Sequence, residues 1–287
     1  MTIIAKVICD SISPEGNRLT TFQLRYPRFI HAEFMTHRVF SRNASSSRAI
    51  PVKRMIQDII DDPVYPSHWG KNQKGMQAQE VCFEDVLIDN VRLTRVQAWD
   101  DARQFAIEAA LGFDEAGYHK QIINRLLEPF SHINVVVTAT EWNNFFHLRC
   151  HKDAQPEMRL LAEAIFSARD GSTPKNLQNG DWHLPYVNKD DWTDINGGGD
   201  ITSDQYNTMI KLSAARCARV SYLTTEGKVP TLAEDLSLYD RLVGSEPIHG
   251  SPCEHQATPD MIQQHLHGNF TGWIQYRKTL PNENIEG

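Results

Sequence analysis

Positions 36–48 read Thr-His-Arg-Val-Phe-Ser-Arg-Asn-Ala-Ser-Ser-Ser-Arg, a run of cations, hydroxyls and one carboxamide that offers almost nothing to a core. His37, Arg38, Arg42 and Arg48 are donors suited to an anion. Ser41, Asn43, Ser45, Ser46 and Ser47 are short polar groups that leave room for one. From 25 to 54 the chain carries seven Lys or Arg against a single acid, Glu33, a local charge of 7 − 1 = +6 in a chain whose formal net charge is -7. Concentrated positive charge in an acidic protein suits one or two phosphates, as on a nucleotide. It does not suit duplex nucleic acid, where a broad basic face must neutralise many phosphates. The run is not a P-loop, because Gly-x-x-x-x-Gly-Lys is absent.

Three further clusters hold reactive side chains. At 141–149, Glu-Trp-Asn-Asn-Phe-Phe-His-Leu-Arg puts Asn144 and Arg149 about one and a half helical turns apart, a carboxamide and a guanidinium able to meet a heterocycle. Positions 213–222 read Ser-Ala-Ala-Arg-Cys-Ala-Arg-Val-Ser-Tyr and 249–255 read His-Gly-Ser-Pro-Cys-Glu-His, the first like a helix end and the second like a proline turn. His249, Glu254 and His255, or His147 with His151, have metal-ligand chemistry, but neither set completes a known metal-ligand spacing, and no metal is expected. Cys150 beside His151 is a poor nucleophile pair, since adjacent helical residues point about 100° apart, and Cys253 beside Glu254 has no better base. The cysteines read as free and buried.

The elements that would position these groups follow from periodicity. Residues 3–9 and 19–26 predict strands joined by a turn at Ser13, Pro14, Glu15 and Gly16. Pro27 fits the first turn of a helix through Arg38, so the basic run would begin on a helix and continue into a loop. Pro51 opens a second helix that ends at Asp61, Asp62 and Pro63, and 63–80 reads as loop. One long amphipathic helix is predicted over 83–111 and a shorter one over 117–127, then a buried strand at 133–138 rich in β-branched residues. Helices are expected at 141–149, 156–169, 204–219 and 231–243. The stretch 170–203, with glycines at 197, 198 and 199, reads as irregular chain and a candidate insertion or flap, and 259–287 as a tail.

At 287 residues, with 40% hydrophobic and 23% charged residues, the chain is long enough for a sizeable core, and a single domain over 1–287 is expected. Five cysteines without a Cys-x-x-Cys spacing fit a reducing compartment. Lys6 and Asp10 interrupt the N-terminal apolar residues, and no apolar run approaches the ~18 residues of a membrane span. The expected location is the cytoplasm, without membrane contact.

Taken together, these segments resemble the flavin-dependent thymidylate synthases. That family's signature is Arg-His-Arg, seven residues, Ser, one residue, Arg; His37, Arg38, Ser46 and Arg48 keep four of its positions and Asn43 a fifth within it. The lead-in Thr-Phe-Gln-Leu-Arg-Tyr-Pro at 21–27 is similar to the strand that enters the signature, and Arg125, Asn144, Leu148, Arg149 and Glu157 resemble later motifs. The 213–222 and 249–255 segments look like motifs that precede the signature in the family but here follow it, so the chain resembles a circular permutant. Permutation is tolerated when the joined ends lie close together at the surface.

The resemblance implies an α+β fold with long helices around an antiparallel sheet, in permuted order, assembled as a homotetramer with shared active sites. It implies FAD, reduced by NADPH, and methylenetetrahydrofolate as carbon donor, with dUMP becoming dTMP. By position, Glu33, Ser46, Ser47, Arg48, Arg125 and Arg149 would meet the pyrimidine deoxynucleotide, Arg149 polarising the ring as the catalytic cation. Thr36, His37, Arg38, Asn43, Thr140, Asn144, Ser221, His249, Ser251 and Glu254 would line the flavin.

Four positions depart from the family pattern: Thr36 stands where the first Arg of the signature falls, Glu33 for a Gln, Ala44 for a Glu and Ala49 for a Tyr. They keep open a dCMP-type ring or a hydroxymethyl product. A non-catalytic nucleotide- or RNA-binding protein that retains the basic run is the reading from another class.

Overall fold

The structure, a computed structural model, describes residues 2–197, 202–220 and 230–284. The chain opens with a hairpin of β1 (Ile4–Ile12) and β2 (Arg18–Pro27), as expected. A 3-10 turn, Arg28–Ile30, leads into the single-turn helix α1 (His31–Phe34) and then β3 (Ser41–Ala44). Next come α2 (Val52–Asp61), the small hairpin β4 (Val86–Ile88) and β5 (Val91–Leu93), α3 (Arg95–Glu115), α4 (Lys120–Leu127) and β6 (His132–Ala139). The remainder comprises α5 (Asn143–Arg149), α6 (Pro156–Asp170), β7 (Lys175–Asn176), α7 (Lys189–Asn196), α8 (Ser203–Ala218), α9 (Leu232–Val243), β8 (Ala257–Pro259) and β9 (Trp273–Gln275).

The central sheet runs β3-β6-β2-β1-β7. Its first four strands are antiparallel, as expected, and the short β7 adds a parallel pairing with β1 at the edge. Alternation along β2 and β6 gives the sheet two buried faces. On one face Phe22, Leu24, Tyr26, Ile133, Val135 and Val137 pack with Trp142, Phe145, Leu161 and Ile165 of the α5–α6 layer. On the other, Val136 meets Cys217 and Val220 at the end of α8. A separate cluster joins α2, α3 and α4 through Met55, Ile59, Ile107, Ile123 and Leu127.

That second face also carries a polar chain. Ser11 Oγ lies 2.8 Å from His183 Nδ1, His183 Nε2 2.8 Å from Thr21 Oγ1, Thr21 Oγ1 2.6 Å from Thr138 Oγ1, and Thr138 Oγ1 2.8 Å from His255 Nδ1. All five side chains are buried. Burial lowers both imidazoles to about 3, so the rings are neutral.

Three expectations change. The helix predicted through Arg38 stops at Phe34, because Thr36 Oγ1 caps the Glu33 carbonyl at 2.7 Å and the Arg42 guanidinium takes the carbonyls of Met35 and His37 at 2.9 and 3.1 Å. The long helix predicted from 83 begins at Arg95 instead. A two-residue turn at Asp89 and Asn90, both at positive φ, folds 86–93 into a hairpin, and Thr94 with Gln97 forms a capping box that starts α3. The stretch 170–203, expected to be irregular, contains β7 and α7, and its Leu177, His183 and Leu184 are buried.

The tail is ordered against the sheet. β8 and β9 pair, and Trp273 Nε1 donates to the Asn17 carbonyl at 3.2 Å. Gly268 has φ +61, and a Cβ there would fall 2.6 Å from Gln275 Oε1, so the turn into β9 requires glycine on both counts.

Candidate active site

β3 is an edge strand four residues long, and its alternation sorts the basic run to two sides. Asn43 faces the 213–222 and 249–255 segments: Ser251 Oγ donates to Asn43 Oδ1 at 2.9 Å, and Asn43 Nδ2 donates to the Cys217 carbonyl at 3.0 Å. Ser41 Oγ donates to Asn269 Oδ1 and receives Gln275 Nε2, both at 3.1 Å. Arg42 turns the other way, onto the carbonyls of the 35–37 turn. The 213–222 and 249–255 motifs, remote in sequence, thus meet the signature at Asn43.

The 36–38 turn is fixed by α5. Arg149 ends that helix, where a cation complements the unpaired carbonyls. Its Nε donates to His37 Nε2 at 3.0 Å, and its Nη2 approaches Thr36 Oγ1 at 3.5 Å. The His37 ring stacks on Phe40 at 5.7 Å and meets the edge of Phe145 at 4.9 Å. Burial, followed by the Arg149 and Arg42 charges, lowers His37 to about 4. His37 is therefore a neutral ring with Nε2 as acceptor, next to a guanidinium.

The far end of the run is latched to α4. Asn124 Nδ2 donates to the carbonyls of Ser47 and Ile50 at 2.7 and 2.9 Å, and Lys120 Nζ to that of Ala49 at 3.0 Å. Glu128 gathers the side chains: Ser47 Oγ donates to its Oε1 at 2.6 Å, Arg125 Nη1 lies 3.0 Å from the same oxygen, and Arg28 Nη1 4.0 Å. Ser46 is half-buried beside this group, and Arg48 is exposed. Glu128 was not singled out from the sequence, although an acid three residues after Arg125 on a helix is a readable i,i+3 pair.

A cleft of about 340 Å³ opens beside the 35–42 turn, lined by Arg38, Arg42, Glu254, Asn269, Arg277 and Lys278 among others. Arg38 is exposed and has no hydrogen bond or ion pair among the described residues. Arg277 Nη1 pairs with the Glu254 carboxylate. Sequence reasoning missed Arg277 and Lys278; the signal available was a pair of cations directly after the β-prone Trp273, Ile274 and Gln275.

Not every expected residue joins these groups. Glu33 contributes its carbonyl to the turn, while Asn144 and His249 are exposed, His249 holding the chain through a backbone N–H to Leu242. Thr140 Oγ1 accepts from the Thr271 N–H at 3.1 Å. Ser221 lies outside the described residues. Among the described residues no group of three His, Cys, Asp or Glu could hold a metal ion, and no helix is long and apolar enough to cross a membrane.

Residues 18–175, more than half of the chain, match the family model described as thymidylate synthase complementing protein. The chain belongs to this family. Membership in the thymidylate synthase complementing proteins makes it a thymidylate synthase-like methyltransferase. The matched region holds α5, α4 and the whole basic run, whereas the 213–222 and 249–255 segments lie beyond its end. Among solved structures, the chain is similar to a UMP/dUMP methylase, PolB, from Streptomyces cacaoi, bound with 5-Br dUMP. The identity is 16% and the TM-score 0.41, over 58% of this chain and 90% of that one. No curated protein matches.

Proposed function

We propose that the protein methylates dUMP to dTMP, with FAD as bound cofactor, NADPH as reductant and methylenetetrahydrofolate as carbon donor. The observation that carries this reading is the contact of Arg149, the expected substrate cation, with His37 and Thr36, expected on the flavin side. One guanidinium there reaches the border between two ligands.

The donor set fits a flavin nucleotide: neutral His37, Asn43 and Ser251 suit a heterocycle and its ribityl chain, and Arg38 suits phosphate. The flavin supplies the redox chemistry when bound. Arg149 holds positive charge beside the pyrimidine, which stabilises the negative charge that builds on the ring as C5 becomes nucleophilic. Ser46, Arg48 and Arg125 bind the nucleotide phosphate or sugar, with Glu128 pre-setting Ser47 and Arg125. Glu254, paired with Arg277 at the cleft, is a further flavin-side residue, and the family resemblance adds Asn144, Thr140, Ser221 and His249 as candidates. The family's segments follow a permuted order, supported by the Asn43 bonds to Ser251 and Cys217. The active protein is a cytoplasmic homotetramer with shared sites.

Thr36 favours a second reading. Its hydroxyl, rather than a cation, receives Arg149, which alters the charge beside the ring and admits dCMP or a hydroxymethyl product. NADPH oxidation with FAD, the folate donor and either dUMP or dCMP, followed by mass spectrometry, separates the readings. The leading one requires flavin absorbance and a dUMP product heavier by one CH2. Protein that gains no flavin absorbance with added FAD sinks both flavin readings, and nucleotide binding without NADPH oxidation favours a non-catalytic nucleotide- or RNA-binding protein.

A further inference from the structure

We propose that Arg277 and Lys278 are phosphate ligands for a dinucleotide diphosphate, and that Glu283 of the same chain is their displaceable occupant. The proposal rests on the flavin reading only for the identity of the dinucleotide. The anion site itself rests on the cleft.

Four cations, Arg38, Arg42, Arg277 and Lys278, line that cleft with two carboxylates, Glu254 and Glu283, a balance of 4 − 2 = +2. The surplus stands out in a chain of net charge -7. Glu283 reaches in from the turn after the 3-10 segment Tyr276–Thr279: its Oε1 lies 2.6 Å from Lys278 Nζ and its Oε2 3.2 Å from Arg277 Nε. A carboxylate thus spans the two cations as two oxygens of a phosphate would.

Arg277 is held for this task. A Cβ on Gly250 would lie 3.0 Å from Arg277 Nε and 3.3 Å from Cζ, so the glycine lets the guanidinium lie close against that turn. Glu254 anchors Nη1 from the other side. Arg38, without a partner among the described residues, supplies a third cation at the same cleft.

A diphosphate brings more charge and more acceptor oxygens than Glu283, and phosphate matches the arginine fork as well as a carboxylate does. Glu283 is mostly buried between its two cations, on the turn that follows Thr279, and the hydration its charge gains on leaving offsets part of the cost of breaking both ion pairs. The carboxylate also spares the cations mutual repulsion until the ligand arrives. Occupancy by Glu283 therefore sets a threshold for ligand binding, lowering apparent affinity by the fraction of molecules in the self-paired state.

The test is calorimetric titration of the full chain with FAD and, separately, with inorganic diphosphate, using wild type, Glu283→Gln and Lys278→Gln, with circular dichroism to verify folding. Glu283→Gln is expected to tighten both ligands by about threefold or more, and Lys278→Gln to weaken both by a similar factor. Diphosphate affinity left unchanged or weakened by Glu283→Gln overturns the proposal. Diphosphate that tightens in Glu283→Gln while FAD does not bind supports the anion site and removes the flavin reading. FAD that binds with equal affinity in all three proteins keeps the flavin reading and overturns the anion site.

Discussion

Arg149 Nε donates to His37 Nε2 at 3.0 Å, across 112 residues of chain. A guanidinium has no acceptor, so the contact requires a bare ring nitrogen, and the ring's proton sits on Nδ1. The pair therefore presents one full charge and one neutral ring.

Arg149→Ala removes that charge and its bond to His37, while the Phe40 and Phe145 ring contacts and the Arg42 bonds to the Met35 and His37 carbonyls still hold the 36–38 turn. Turnover is expected to fall by at least about a hundredfold, in the range of losing one oxyanion-type donor, while FAD stays bound in an absorbance titration. Unchanged kcat would remove Arg149 from the chemistry.

Arg125→Ala acts at the other end of the run. Loss of one charge-assisted contact, about 1.5–3 kcal/mol, should raise the nucleotide KM roughly tenfold or more, with kcat little altered. Steady-state kinetics that showed the reverse split would place Arg125 at the reacting ring instead.

Acid should destabilise the fold through buried histidines. His37 and His132 are lowered to about 4, and His183 and His255 to about 3, chiefly by burial, from an unfolded value of 6.5. Between those limits the unfolded chain binds protons that the folded one does not, so stability is lost as pH falls from 6.5 towards 3. Urea midpoints measured across that range should decline, and His183→Gln should flatten the slope. A wild-type midpoint independent of pH would contradict it.

Phe40→Ala should destabilise the protein by about 3–5 kcal/mol, the usual cost of an aromatic core truncation. Phe40 packs on Trp142 at 4.6 Å, Phe145 at 5.3 Å and His37 at 5.7 Å. Its loss also hydrates the imidazole, so NMR titration should find His37 displaced upward from about 4.

Much of this was legible because burial leaves a period in sequence. β2 and β6 alternate between two faces, and α6 repeats Met158, Leu161, Ala162 and Ile165 at helical spacing. β3 was not legible, since Ser41, Arg42, Asn43 and Ala44 show no apolar alternation and owe their strand to pairing with β6. The 86–93 hairpin was misread because Val86, Leu87, Ile88 and Val91 are exposed, and their apolarity reports no core. The site divided similarly. The signature's spacing singled out His37, Arg38, Ser46 and Arg48 as candidates, whereas Arg277, Lys278 and Glu283 acquire meaning only from partners that the fold delivers.

The buried chain from Ser11 to His255 behaves as a single object. Each hydroxyl and each neutral ring has one proton to give, so once Thr21 donates to Thr138, His183 must donate to Thr21, Ser11 to His183, and Thr138 to His255. Reversing one link reverses all of them. His255 Nε2, buried without a hydrogen-bond partner, is then a stranded donor in one polarity and a stranded lone pair in the other. Five residues from five separate stretches of sequence thus share one binary variable, and Ser11, where β7 joins β1, is informed of the tautomer carried by the turn that grips Asn43.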